Sequence, residues 1–166
     1  MDINFDIWTG ESIQDIIQII AEFRFQLFGE SQKVQPNLSQ EINFLQHYFD
    51  SEACIIVANE GGSFVGYIAL VGYSEYHQNL SEYGHYGDDL NVTEGPMVLP
   101  DYRNMGIVKG LIQEALNACE IKGIALLFID PSQILSESDE MVVKKITKNY
   151  NFKNESNGMY KREFYP

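Results

Sequence analysis

The stretch from Glu94 to Leu111 is where residue types and spacing could do chemistry. Val92–Leu99 reads as a strand, and Pro100 must end it, because proline gives no N–H to a ladder. A tight turn then leads into a helix predicted over Gly106–Lys122. The first N–H groups of a helix have no internal partner, and the macrodipole adds about half a positive charge there. Such a helix start is a seat for an anion, and a pyrophosphate suits it. Gly106 removes a side chain where a phosphate must come close. Arg103 and Lys109 flank the turn with positive charge.

The rest of the chain must hold that turn in place. Its 166 residues suit one domain, and an apolar content of 45% is enough for a core. No apolar run approaches the ~20 residues of a membrane span, and no basic segment precedes an apolar one at the start. The expected location is therefore the cytoplasm, with no membrane partner. Cys54 and Cys119 form no CxxC pair and read as reduced, buried residues. A net charge of −13 argues against a nucleic-acid partner, which needs a basic face. That charge is divided unevenly. Residues 1–102 carry 16 acids and 2 bases, whereas residues 103–166 carry 8 acids and 9 bases. The first part favours cations and the second tolerates an anion.

Periodicity predicts the order βααβββαβαββ. A short strand covers Phe5–Trp8. A helix over residues 12–28 follows from the stripe Ile13, Ile16, Ile17, Ile20, Phe23 and Leu27, with Ser12 as its cap. A second helix, opened by Ser39, runs to Phe49. Strands over Cys54–Ala58 and Phe64–Tyr73 flank a turn at Asn59–Gly62. Residues 74–90 read as a polar, aromatic loop. After the Gly106 helix come a buried strand over Ile124–Ile129, a helix over 138–149 and a hairpin turning at Asn157-Gly158.

With the elements in place, the central segment resembles the core motif of the GNAT superfamily of acetyl-CoA-dependent N-acetyltransferases. That pattern is a strand ending V-x-P-x-Y-R, then R-x-x-G-x-G/A, then an apolar helix. Val98, Pro100, Tyr102, Arg103, Gly106 and Ile107 match it. Asn151-Phe152 stands where the family closes with Gly-Phe, and Asn also tolerates a left-handed backbone. The resemblance implies an α/β fold with a mixed, mostly antiparallel central sheet flanked by helices. It implies acetyl-CoA as co-substrate, held by Met97, Val98, Arg103, Asn104, Met105, Gly106, Ile107, Val108 and Lys109. Three positions depart from the pattern. Val108 replaces a second Gly or Ala. Pro96 lies in the strand that pairs with pantetheine, so the N–H donor falls to Met97 or Val98. Thr147 replaces a tyrosine that acts as general acid, which leaves Tyr150 as a candidate. A non-catalytic acyl-CoA-binding or regulatory domain of the same fold is the alternative, and a structural domain binding no CoA is a third.

The resemblance also implies an amine acceptor, which attacks only when neutral, and a free alkyl ammonium has a pKa of about 10.4. Glu94, on the strand before the turn, is the candidate proton acceptor or cation anchor. The acids of the 74–90 loop, interleaved with tyrosines, suggest a small cationic acceptor. Tyr73, Glu75, Tyr76 and Asp88 are its candidate contacts. His77 and His85 match no zinc spacing, so no metal is expected. Lys144, Lys145 and Lys148 form a basic helical edge that an anionic CoA end could meet. The expected state is a monomer or homodimer.

Overall fold

The structure is a computed structural model, and it describes residues 2–28, 34–49, 52–72, 90–124, 126–129, 137–155 and 158–164. One seven-stranded sheet runs through it in the order β1-β2-β3-β4-β5-β7-β6. The strands are β1 (Ile3–Thr9), β2 (Cys54–Glu60), β3 (Ser63–Gly72), β4 (Leu90–Val98), β5 (Leu126–Ile129), β6 (Lys153–Asn154) and β7 (Tyr160–Glu163). All neighbours pair antiparallel except β4 with β5. The helices are α1 (Ile17–Phe28), α2 (Leu38–Tyr48), α3 (Ile107–Lys122) and α4 (Glu137–Asn149). This is the element order and the mostly antiparallel sheet that the sequence predicts.

Alternation along the strands divides the core into two layers. Ile55, Val57, Tyr67, Ala69 and Met97 face α1 and α2. Ile56, Ala58, Ile68, Leu70 and Val98 face α3, with Val143 and Ile146 of α4. β2 and β3 are covered on both faces, which is why they read as continuous apolar runs rather than alternating ones. Cys54 and Cys119 are free and buried in the α3 layer. Burial raises both thiols, that of Cys119 to about 12, so neither is a nucleophile at neutral pH.

Several local boundaries differ from the expectation. The predicted 12–28 helix is a 3-10 turn over Gly10–Asp15 followed by α1, and Ser12 Oγ donates back to Thr9 O at 2.6 Å instead of capping. α2 is opened by Asn37, not Ser39: the Asn37 side chain accepts the Gln40 N–H at 2.9 Å. Ile124 is buried but precedes β5. The left-handed reading of Asn151 holds, at φ 65°.

α3 lies flush on β1 because position 110 has no side chain. A Cβ on Gly110 would sit 2.3 Å from Phe5 Cζ. Gly110→Leu is therefore expected to cost about 1–3 kcal/mol by overpacking. Thermal denaturation would read this as a Tm lowered by several degrees.

Candidate functional site

The site begins with a gap in the sheet. β4 and β5 pair at Leu90 with Leu126, Asn91 with Leu127 and Val92 with Phe128, and the pairing stops there although both strands continue. From Thr93 onward no strand among the described residues pairs with the β5-side edge of β4, which is therefore called open. The bulge in β4 falls in this stretch, with the register against β3 shifting between Tyr67 and Ala69. Gly95 takes φ 89°, where a Cβ would approach Tyr67 O to 3.0 Å. Pro96 follows at the bulge, where a strand can accommodate a residue without an N–H. The Leu99 N–H donates to Val65 O at 2.9 Å, toward β3. Successive N–H groups alternate edges, so that of Val98 faces the open side.

The turn after β4 forms the second half of the site. Tyr102, Arg103, Asn104, Gly106, Ile107, Val108, Asp139 and Val142 line a cavity of about 230 Å³. Gly106 caps α3 at φ 80°, a left-handed conformation that favours glycine, and a Cβ there would meet nothing within 4 Å. The unpartnered N–H groups of the first helical turn therefore open onto space. The Gly110 N–H is the first to be taken, by Gly106 O at 3.0 Å. Arg103 Nε lies 3.5 Å from Asp139 Oδ2, close enough for attraction, yet it is buried and makes no hydrogen bond among the described residues. An open helix start beside an arginine with an unused donor fits a pyrophosphate.

The remaining predicted cofactor residues are placed as follows. Ile107 and Val108 are buried in the α3 layer, so the β-branched Val108 side chain belongs to the core while lining one wall of the cavity. Met97 and Val98 bury their side chains on opposite faces of β4. Met105 and Lys109 are exposed and do not line the cavity. Lys144, Lys145 and Lys148 are exposed on α4 and do not line it either.

Glu94 stands just before the bulge, on the α1/α2 face, and is only 6% exposed. Its Oε1 accepts from Arg24 Nη1 of α1. Arg24 Nη1 also donates to Tyr67 OH at 3.1 Å, and Arg24 Nε to Glu41 Oε1 of α2 at 2.7 Å. Arg24 and Glu41 are 5% and 0% exposed. Burial disfavours the guanidinium charge, but Tyr67, Glu94 and Glu41 outweigh it and hold Arg24 above its ordinary value. Burial raises the Tyr67 phenol well above its ordinary value, so it stays a neutral donor. The sequence reading missed Arg24 and Glu41. The signal was there: Arg24 follows Ile17, Ile20 and Ala21 at helical spacing, inside the apolar stripe, and a buried arginine demands carboxylates.

Thr147 is buried and its hydroxyl donates to Lys144 O at 2.9 Å, back along its own helix. Tyr150 OH accepts from Gln113 Nε2 at 2.7 Å, in a separate polar recess with Glu120 and Arg162. Tyr73, Glu75, Tyr76, His77, His85 and Asp88 lie outside the described residues. Among the described residues no group of three or more His, Cys, Asp or Glu could hold a metal. No helix among them is long and apolar enough to cross a membrane.

The fold recurs in solved structures. An N-acetyltransferase from Staphylococcus aureus Mu50 superposes with a TM-score of 0.66 at 17% identity, over 96% of this chain and 98% of that one. A predicted acetyltransferase from Clostridium acetobutylicum, solved with acetyl-CoA, gives 0.60 at 12%, over 93% and 92%. A ribosomal-protein-alanine N-acetyltransferase from Brucella melitensis biovar Abortus 2308 gives 0.58 at 15%, over 87% and 90%. Among curated proteins no sequence matches this chain. The acetyltransferase (GNAT) family model matches residues 13–134, most of the chain. The chain thus belongs to the GNAT family of acetyltransferases, whose acetyl donor is acetyl-CoA.

Proposed function

We propose that the protein is an N-acetyltransferase acting on a primary amine, with a small cationic molecule as acceptor. The observation that carries this reading is the meeting of the open β4 edge with the α3 cradle. A ligand lying along β4 would place its anionic end at Gly106 and its other end beside Glu94. Acetyl-CoA supplies the activated acetyl group. The Met105–Lys109 backbone and Arg103 hold the pyrophosphate, with Asn104 shaping the turn. The Val98 N–H faces the wedge and can donate to a carbonyl oxygen there. Glu94 takes the proton that the acceptor ammonium must lose, directly or through a water.

The acceptor's charge follows from the field. The acids concentrate before residue 103, and the Glu94 cluster adds two buried carboxylates to one guanidinium. Like-charge repulsion would turn away acidic acceptors. A non-catalytic acyl-CoA-binding domain is the second reading. Thr147 spends its hydroxyl on its own helix, and Tyr150 lines a recess other than the Gly106 cavity, which favours it.

Acetyl-CoA turnover against a panel of amines, read as released thiol, tests the proposal. Spermidine or an aminoglycoside is expected to exceed neutral amino-acid amides by about tenfold or more. That advantage should shrink as salt screens the exposed charges. Binding of acetyl-CoA without turnover of any amine would favour the second reading.

A further inference from the structure

We propose that Asp139 of α4 is a positioning residue for the cofactor, steering Arg103 so that its unpaired donors meet the pyrophosphate. The inference rests on the reading of the Gly106 turn as the pyrophosphate seat. A carboxylate has the wrong charge for such a seat, yet Asp139 lines the same cavity as Arg103 and Gly106. It is only 3% exposed, so dissolved ions screen it little. Acting on its own, it would repel the anion that the helix start attracts.

Helical spacing accounts for the placement. Asp139 stands three residues before Val142, four before Val143 and seven before Ile146. That spacing puts it on the face of α4 that packs against the α3 layer. An acid on a buried apolar face calls for a cation. Arg103 supplies one from the turn, with Nε 3.5 Å from Asp139 Oδ2. An acid in the first turn of a helix also gains from the macrodipole, but that gain needs no burial beside a cavity.

The length of the contact carries the argument further. At 3.5 Å the arginine is attracted without giving up a hydrogen bond. Nε is buried and has no acceptor among the described residues. Neither Nη has a partner among them. An arginine forked onto a carboxylate through two donors would be spent on it. One held by charge alone keeps its donors for phosphate oxygens while staying at the turn. Holding the side chain there before the ligand arrives also spares part of the cost of ordering it on binding.

Calorimetry on the whole chain tests this, with CoA, inorganic pyrophosphate and pantetheine as ligands. Asp139→Asn should weaken CoA and pyrophosphate by about tenfold, the worth of one hydrogen bond to a charged group, and leave pantetheine unchanged. Taking a negative charge out of an anion seat would by itself strengthen binding, so the sign separates steering from repulsion. In an Arg103→Met background the same substitution should cost nothing further, because it acts through the arginine. CoA affinity in Asp139→Asn equal to or above wild type overturns the inference. So does an equal loss for pantetheine, or an undiminished loss in the Arg103→Met background. Wild-type CoA affinity in Arg103→Met sinks the pyrophosphate seat itself, and the inference with it. If Asp139→Asn fails to fold by circular dichroism, the wild-type protein carries the test. Its Arg103 Nε–H, followed by 15N NMR, should exchange slowly with water before any ligand is added, and rapid exchange overturns the inference.

Discussion

Gly106→Glu is expected to abolish acetyl-CoA binding, with no heat by calorimetry and no thermal shift at millimolar ligand. Two effects act together. The space above Gly106 is open, so the new side chain enters the cavity without striking protein. There its carboxylate meets the N-terminus of α3, which favours an anion by about 0.3–1 kcal/mol. The variant would carry its own occupant for the phosphate seat and repel the real one. The fold should survive, because the cost at φ 80° is only about 1–2 kcal/mol. Gly106→Asn separates the two effects: asparagine tolerates the left-handed backbone and brings no charge, so its loss of affinity should be smaller. Wild-type affinity in Gly106→Glu would remove this cradle from cofactor binding.

Glu94→Gln is expected to slow acetyl transfer by about 10²–10⁴-fold if Glu94 is the proton acceptor. The loss should shrink toward pH 10, because the free-amine fraction then rises without help from the protein. The substitution is well suited to the question. Glutamine keeps an oxygen for the Arg24 Nη1 donor and leaves the guanidinium paired with Glu41. The guanidinium thus keeps two oxygen acceptors, so folding should not suffer in proportion. A rate unchanged across pH would return Glu94 to a structural role.

The sequence made the fold legible where the physics is local and repeated. Two residues, Pro100 and Gly106, marked the end of a strand and the start of a helix, and the structure places β4, the turn and α3 accordingly. Asn151 was readable because few residues other than glycine accept its backbone. Caps were less legible, since Asn37 and Ser39 are both good candidates and only the realised backbone decides. The environment of Glu94 was legible only as a need: an arginine inside the apolar stripe of α1 calls for carboxylates without saying which. Arg24, Glu41 and Glu94 lie far apart in sequence, and nothing local to any one of them names the others. Their meeting is a property of how α1 and α2 cross the sheet. Glu94 was correctly placed on the strand before the turn, whereas its burial against a cation came only with the third dimension.

The three rungs joining β4 to β5 have a mechanical meaning. The sheet behaves as two plates, β1–β4 and β5–β7–β6, riveted along a short seam at one end and splayed at the other. Whatever lies in the splay bears on both plates at once, with the seam as its fulcrum. Phe128, fully buried, stands at the last rivet. A change of volume there would be felt at the fulcrum, some distance along β4 from anything bound beyond it.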